Sequence, residues 1–330
     1  MKKTLLKTIY NLGGFAPFHW SNRDKVLILM YHRFSAEKNL HKVSGAEFTA
    51  HLEYLERHNR VLPLSEAIDF LEKGKTLPSN MVVITIDDGY ADTYEIAFPI
   101  LKKFSMPATL FAVTDFLDGK CWLWTDFMRY ILTETKQSFC NIEFEKYDKI
   151  KTDLADEMQR LEVAARVNSL LKLLPNQEKE TKIKEIAESL DVEIPVLPTK
   201  EFSPVTWQQA REMDAENLKI ESHTVTHPIL TNIEQTQLDF ELRTSKNRLE
   251  SILGRQVEQF CYPNGSLNEA IWQSVKNNDY KCAVTTNYGF NNRQANRFLL
   301  NRISAQSSIL DFAQSVSGFE AMKQNLAKLS

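Results

Sequence analysis

Six apolar residues in succession, Val26-Leu27-Ile28-Leu29-Met30-Tyr31, begin the legible part of the pattern. A run this short, without polar alternation, predicts a strand buried on both faces, as in parallel sheets. Met81-Val82-Val83-Ile84-Thr85-Ile86 and the stretch from Ala108 to Val113 read the same way. Between them Ile96, Ile100, Leu101 and Phe104 recur on one helical face. Upstream, Ser44 stands three residues before Glu47, the spacing of a capping box, and Phe48, Leu52 and Leu55 continue that helix. Ser65 opens a second short helix through Ala67, Ile68 and Leu71, with Gly74 closing it. Strand and helix in alternation predict a βα architecture.

From about Trp122 to Lys200 this rhythm stops. The chain becomes charged and helical, with Met158, Leu161, Ala165 and the residues from Val167 to Leu174 on amphipathic faces. Asp191 to Pro204, with three prolines, reads as a connector back. The alternation then resumes. Leu218 to Ser222 is a short strand leading into His223, and a helix from Gln235 to Leu253 ends at Gly254. A strand from Val257 to Tyr262 runs into the turn Pro263-Asn264-Gly265. A helix over Asn268 to Asn277 and a strand over Cys282 to Thr286 follow. The expected organisation is an N-terminal segment (1–24), one α/β unit assembled from 25–121 and 201–330, and a helical insertion or lid (122–200).

Composition narrows the function classes. A chain of 330 residues, 43% hydrophobic, is long enough for a large core. A net charge of -3 leaves no electrostatic footprint for nucleic acid. The four cysteines (Cys121, Cys140, Cys261 and Cys282) form no CxxC pair and read as buried free thiols of a reducing compartment. Lys7 and Asn11 interrupt the apolar residues near the start, so no secretory signal and a cytoplasmic location are expected. Phe15, Phe18 and Trp20 suit either an ordinary packing segment or a short peripheral contact with the inner membrane surface.

The chemistry concentrates at two strand ends. Asp87 and Asp88 follow a buried strand, where unpaired acids are costly and where βα folds place their sites. His223 and His227 follow another strand, four residues apart. That spacing suits chelation from a helical turn, although Pro228 disfavours helix there and a loop is the alternative. Two imidazoles and a carboxylate are a ligand set for a divalent metal, and a second carboxylate supplies a general base.

These segments resemble the motifs of a known family. Thr85-Ile86-Asp87-Asp88-Gly89 is similar to the first motif of the polysaccharide deacetylases (carbohydrate esterase family four, the NodB homology domain). Ser222-His223-Thr224-Val225-Thr226-His227-Pro228 is similar to the second. Leu29-Met30-Tyr31-His32-Arg33 resembles the first strand of one branch, and Phe260-Cys261-Tyr262-Pro263-Asn264-Gly265 the third motif. The resemblance implies a distorted, incomplete (β/α) barrel that removes N-acetyl or O-acetyl groups from a sugar of a bacterial polysaccharide or its precursor. It implies Asp87 as general base, and Asp88, His223 and His227 as ligands of a divalent metal. Zinc suits that set best, with cobalt, nickel, iron and manganese as alternatives.

Two positions depart from the family pattern. Cys261 stands where the third motif carries an arginine, and Arg302 stands where the last motif carries a histidine acid. Arg302 is therefore a candidate to orient Asp87 or to steady an oxyanion. The general acid is either His32, which can equally be read as a satisfied strand-end histidine, or Asp87 returning its proton. The backbone N–H of Asn264 is a candidate oxyanion donor, and Tyr262 and Pro263 either line the pocket or pack behind it. Tyr90, Phe116, Trp122 and Trp124 are read either as sugar-stacking rings or as core. An acylated glycan or sugar precursor is the expected partner. Two alternative readings are a deformylase or deacetylase of a lipid-linked sugar intermediate and a catalytically weak glycan-binding module.

Overall fold

The computed structural model describes residues 2–72, 78–145, 147–320 and 322. Seven strands form a closed parallel barrel: β1 (Val26–Tyr31), β2 (Met81–Asp88), β3 (Ala108–Ala112), β4 (Leu218–Ser222), β5 (Gln259–Cys261), β6 (Cys282–Tyr288) and β7 (Leu300–Ser304). Each pairs with the next in chain order, and β7 closes on β1 through Leu29 and Ile303. Helices pack around the outside, so the chain forms a (β/α) barrel one strand short of eight, the incomplete barrel that the family resemblance implies. A short extra strand, Arg60–Val61, pairs with the start of β2.

Alternation along β1 and β2 sorts the side chains into two cores. Leu27, Leu29, Val82, Ile84 and Ile86 pack outward against the helices. Val26, Ile28, Met81 and Val83 point inward with Phe111, Val284 and Leu300. Leu64, Ala67, Ile68 and Leu71, from the helix Leu64–Glu72, join this inner cluster and plug one end of the barrel. Gly74, expected to end that helix, lies outside the described residues. With a period of two, Thr85 and Asp87 continue the inward face of β2. The interior is thus apolar at one end and polar at the end where the strands finish.

The segment after β3 differs from a purely helical reading. It contains the helices Phe127–Glu134, Glu157–Leu171 and Asn176–Ser189, but also an antiparallel hairpin of Phe139–Phe144 with Asp148–Asp153. The hairpin's first strand alternates exposed and buried residues, burying Cys140, Ile142 and Phe144. These join Met128, Ile131, Val163, Val167, Leu171, Ile183 and Ile186 in a core separate from the barrel's.

The N-terminal aromatics divide. Phe15 is buried, and Phe18 rests edge-on against Phe319 at 4.9 Å. Trp20 is exposed, with Arg23 over its ring. Packing is thus the role of Phe15 and Phe18, the first of the two readings of this segment. Among the described residues no helix is long and apolar enough to cross a membrane.

Candidate metal centre

Every sequence-derived site residue lies on β1, β2, β4, β5 or β7 or in the loops that follow them. Asp87 and Asp88 end β2, and neighbouring residues on a strand point to opposite faces. A positive φ at Asp88 (79°) and at Gly89 (99°) turns the chain and brings both carboxylates to the barrel mouth. Gly89 has a second reason to lack a side chain: a Cβ there would stand 2.7 Å from Leu117 Cδ1.

His223 and His227 sit in a loop, not on a helix, which resolves the alternative left by Pro228. Thr224 (φ 73°) and His227 (φ 59°) take left-handed backbone, and the His227 N–H donates to Thr224 Oγ1 at 3.0 Å. The tip of the loop is held by Glu241. This fully buried carboxylate accepts hydrogen bonds from the N–H groups of Val225 (2.7 Å) and Thr226 (3.0 Å) and from the Thr226 hydroxyl (2.6 Å). Glu241 was not anticipated, although one signal was present. It falls on the same face of its helix as Leu238, Leu242, Ser245 and Leu249, where a carboxylate demands a partner.

His223 Nδ1 donates to the backbone carbonyl of Cys261 at 2.8 Å, which turns Nε2 toward Asp88. Burial pushes this imidazole down, but Cys261, Asp88 and Asp87 outweigh it and hold it above its ordinary value. His223 Nε2 lies 3.5 Å from Asp88 Oδ1, and His227 Nε2 lies 3.6 Å from the same oxygen. Burial and the neighbouring His223 push the His227 imidazole down to about 3, so the ring is neutral at physiological pH. Burial raises the Asp88 carboxyl, but the two histidines outweigh it and hold the group below the ordinary carboxylate range. One ligand atom from each of Asp88, His223 and His227 lies within 4.8 Å of the others. Their separations are too long for good hydrogen bonds, so three buried polar groups converge without satisfying one another. A shared divalent cation resolves that arrangement, and the donor set fits one.

Asp87, Cys261 and His223 form a second group at similar range. It fits a cation poorly, because both Asp87 oxygens are already taken. Arg302 Nη1 donates to Oδ1 and Nη2 to Oδ2, each at 2.7 Å. The remaining donors go to Thr85 Oγ1 (3.0 Å), Cys261 Sγ (3.1 Å) and the Thr285 carbonyl (2.8 Å). All five guanidinium N–H groups are thus committed inside the barrel, where Arg302 is fully buried. Of the two roles open to Arg302 from sequence, geometry fits orientation of Asp87 and leaves no donor for an oxyanion. Burial pushes the Asp87 carboxyl up, but the charge and hydrogen bonds of Arg302 outweigh it and keep the group below its ordinary value. Cys261 is therefore more than a packing thiol. Its small side chain admits the guanidinium that a larger residue would exclude.

His32 leaves the end of β1 with its side chain 45% exposed and Nε2 3.7 Å from Asp87 Oδ2. Asn264 takes φ 56° in the turn after β5, and its Nδ2 is buried without a partner among the described residues. Gly265 follows at φ 69°, where a Cβ would meet Thr286 Oγ1 at 1.9 Å. Tyr262 takes the packing role, one of its two readings. Its ring is fully buried 5.2 Å from Phe260 and its hydroxyl donates to the Phe298 carbonyl, so it packs the wall and does not reach a ligand. Pro263 is buried too. Tyr90, Phe116, Trp122 and Trp124 are all core residues, the second of the two fates open to them.

Comparison with known proteins agrees with this geometry. The family model for polysaccharide deacetylase matches residues 74–283, well over half of the chain. The putative polysaccharide deacetylase YxkH of Bacillus subtilis is 25% identical over 280 residues, covering 84% of this chain and 71% of that protein. The poly-beta-1,6-N-acetyl-D-glucosamine N-deacetylase of Staphylococcus epidermidis is 32% identical over 131 residues, covering 35% of this chain and 43% of that enzyme. Among solved structures, the Streptococcus pyogenes deacetylase PplD in complex with acetate superposes with a TM-score of 0.60 at 21% identity. That superposition covers 89% of this chain and 99% of PplD, and it establishes a common fold. Because the matched segment carries both strand-end motifs, from the paired acids to the paired histidines, this chain belongs to the polysaccharide deacetylases, hydrolases that act on carbon–nitrogen bonds.

Proposed function

We propose that the protein is a metal-dependent N-deacetylase of a β-linked N-acetylglucosamine glycan or its precursor. The observation that carries this reading is the convergence of Asp88, His223 and His227 beside a carboxylate, Asp87, that Arg302 holds in one orientation. The sugar is suggested by what the staphylococcal relative is named for. Asp88, His223 and His227 would hold the cation, with zinc favoured by two imidazoles and one carboxylate. A bound divalent cation supplies Lewis acidity to a water and to the acyl carbonyl.

The chain's own residues do the rest. Asp87 stays ionised and accepts the proton of the attacking water. Arg302 fixes its carboxylate and keeps it from protonating. His32, part-exposed and 3.7 Å from Asp87, gives a proton to the departing amine nitrogen. The N–H of Asn264, presented by the left-handed turn after β5, faces the developing oxyanion. Acetate and the free amine leave.

The test combines metal analysis of the purified protein with acetate release from N-acetylated sugars. Asp87→Asn should keep the metal and lose most of the rate. Acetate release near the wild-type rate by metal-loaded Asp87→Asn would remove Asp87 as the base. Glycan binding without acetate release by the wild type would favour a binding module instead.

A further inference from the structure

Asp88 has left-handed backbone (φ 79°), which residues other than glycine adopt at a cost. Such strain persists only where the surroundings hold it. The hold comes from the four residues that follow. The Gly89 carbonyl accepts from the Val205 N–H, and the Ala91 N–H donates to the Ser203 carbonyl, each at 2.9 Å. Asp92 Oδ2 accepts from Arg33 Nε at 2.7 Å. Tyr90 is buried edge-on to Phe116 at 5.3 Å, and the Arg33 guanidinium lies 4.0 Å over its ring.

A buried phenol needs an acceptor for its hydroxyl. Tyr90 donates to Asp126 Oδ2 at 2.7 Å. Asp126 is itself buried and closes the turn Trp124–Asp126, near the start of the segment inserted after β3. Arg33 completes the circuit. It follows His32 directly, and its Nη2 donates at 2.6 Å to the carbonyl of Glu201, in the connector that leads back from the insert. The insert thus grips the turn after β2 from both of its own ends, and Arg33 joins that grip to the strand end that carries His32. A hydroxyl and a carboxylate buried together add little stability over an apolar pair of the same shape. What they add is one fixed direction.

We propose that Asp126 is a positioning residue for the metal ligand Asp88: its hydrogen bond from Tyr90 holds the strained turn after β2 in the geometry that a cation requires. The inference rests on the metal-dependent deacetylase reading. It gives the insert a place in the metal centre, although the insert supplies no ligand.

The experiment compares wild type with Tyr90→Phe, Asp126→Leu, Asp126→Asn and the double variant Tyr90→Phe with Asp126→Leu. Each is measured by zinc competition with a chelator, by kcat and KM for acetate release from N-acetylglucosamine oligomers, and by thermal melting. Tyr90→Phe and Asp126→Leu should each weaken zinc binding by about tenfold or more and lower kcat with KM nearly unchanged. Asp126→Asn keeps an oxygen to accept from Tyr90 and should retain most of both. The double variant should lose no more than the worse single one, because both remove the same bond. A lower melting temperature with zinc affinity and kcat unchanged would overturn the proposal, leaving a purely structural contact. So would an Asp126→Asn as impaired as Asp126→Leu, or losses that add in the double variant. If Asp126→Leu fails to fold, Tyr90→Phe and Asp126→Asn carry the test. If wild type binds zinc but releases no acetate, the deacetylase reading fails separately, and the competition measurement still decides the role of Asp126.

Discussion

Arg302 and Asp87 meet edge to edge inside the barrel, with two parallel hydrogen bonds of 2.7 Å. The pair joins β7 to β2 across the interior, and both side chains are essentially inaccessible to water. Breaking such a pair from one side leaves a buried charge uncompensated, which costs about 3–5 kcal/mol. Arg302→Met should therefore lower the free energy of unfolding by roughly that amount, whereas Arg302→Met combined with Asp87→Leu should recover part of it. Denaturant titration of the four forms reads this directly. A loss below about 1 kcal/mol in the single variant, within the range of exposed pairs, would mean that the bond is not the anchor described here.

The same contact sets a pH dependence. Asp87 is held below its ordinary value, so its contribution to stability is present above the unfolded carboxyl pKa and lost as pH falls through the folded one. A general base must be ionised, so the wild-type kcat/KM should stay flat well into the acidic range. Without Arg302 burial is no longer outweighed, and the Asp87 carboxyl moves up. The acid limb of kcat/KM in Arg302→Met should shift to higher pH. An acid limb that does not move between the two forms would separate Asp87 from the titrating base.

Most of the barrel was legible because its strands are buried on both faces and read as unbroken apolar runs. β7 was not, since Asn301 and Arg302 interrupt it. The arginine belongs to a strand whose inner face is polar at this level, and no apolar pattern announces that. The hairpin Phe139–Phe144 with Asp148–Asp153 was missed for a related reason: its second strand buries fully only Ile150 among charged neighbours. The metal ligands were legible as motifs. Glu241, which holds the loop between the two histidines, and Thr85, which accepts from Arg302, were not, because each acts on residues distant in sequence.

Glu241 gives a prediction about the ligands themselves. It touches no ligand side chain, yet it holds the loop from Val225 to Thr226 between the two histidines. Glu241→Ala strands two backbone N–H groups in the interior, each worth about 1–3 kcal/mol. Loss of such a support typically weakens metal affinity by about 10–100-fold. Competition with a chelator should show that weakening, together with a lower melting temperature. If metal affinity holds while the melting temperature falls, Glu241 stabilises the fold without positioning the ligands.

His32 can be tested as the proton donor by changing the leaving group. An amine leaves poorly unless protonated, whereas an aryl oxide leaves readily as an anion. A positioned acid contributes about 10²–10⁴-fold to rate. His32→Asn should lose that factor on N-acetylglucosamine oligomers and lose little on 4-nitrophenyl acetate, with metal content unchanged. Equal losses on both substrates would instead place His32 in orienting Asp87, which its 3.7 Å approach to Oδ2 also permits. Because the side chain is 45% exposed and has no second bond among the described residues, its replacement should leave the melting temperature nearly unchanged. That expectation separates His32 from Arg302, whose removal should cost both rate and stability.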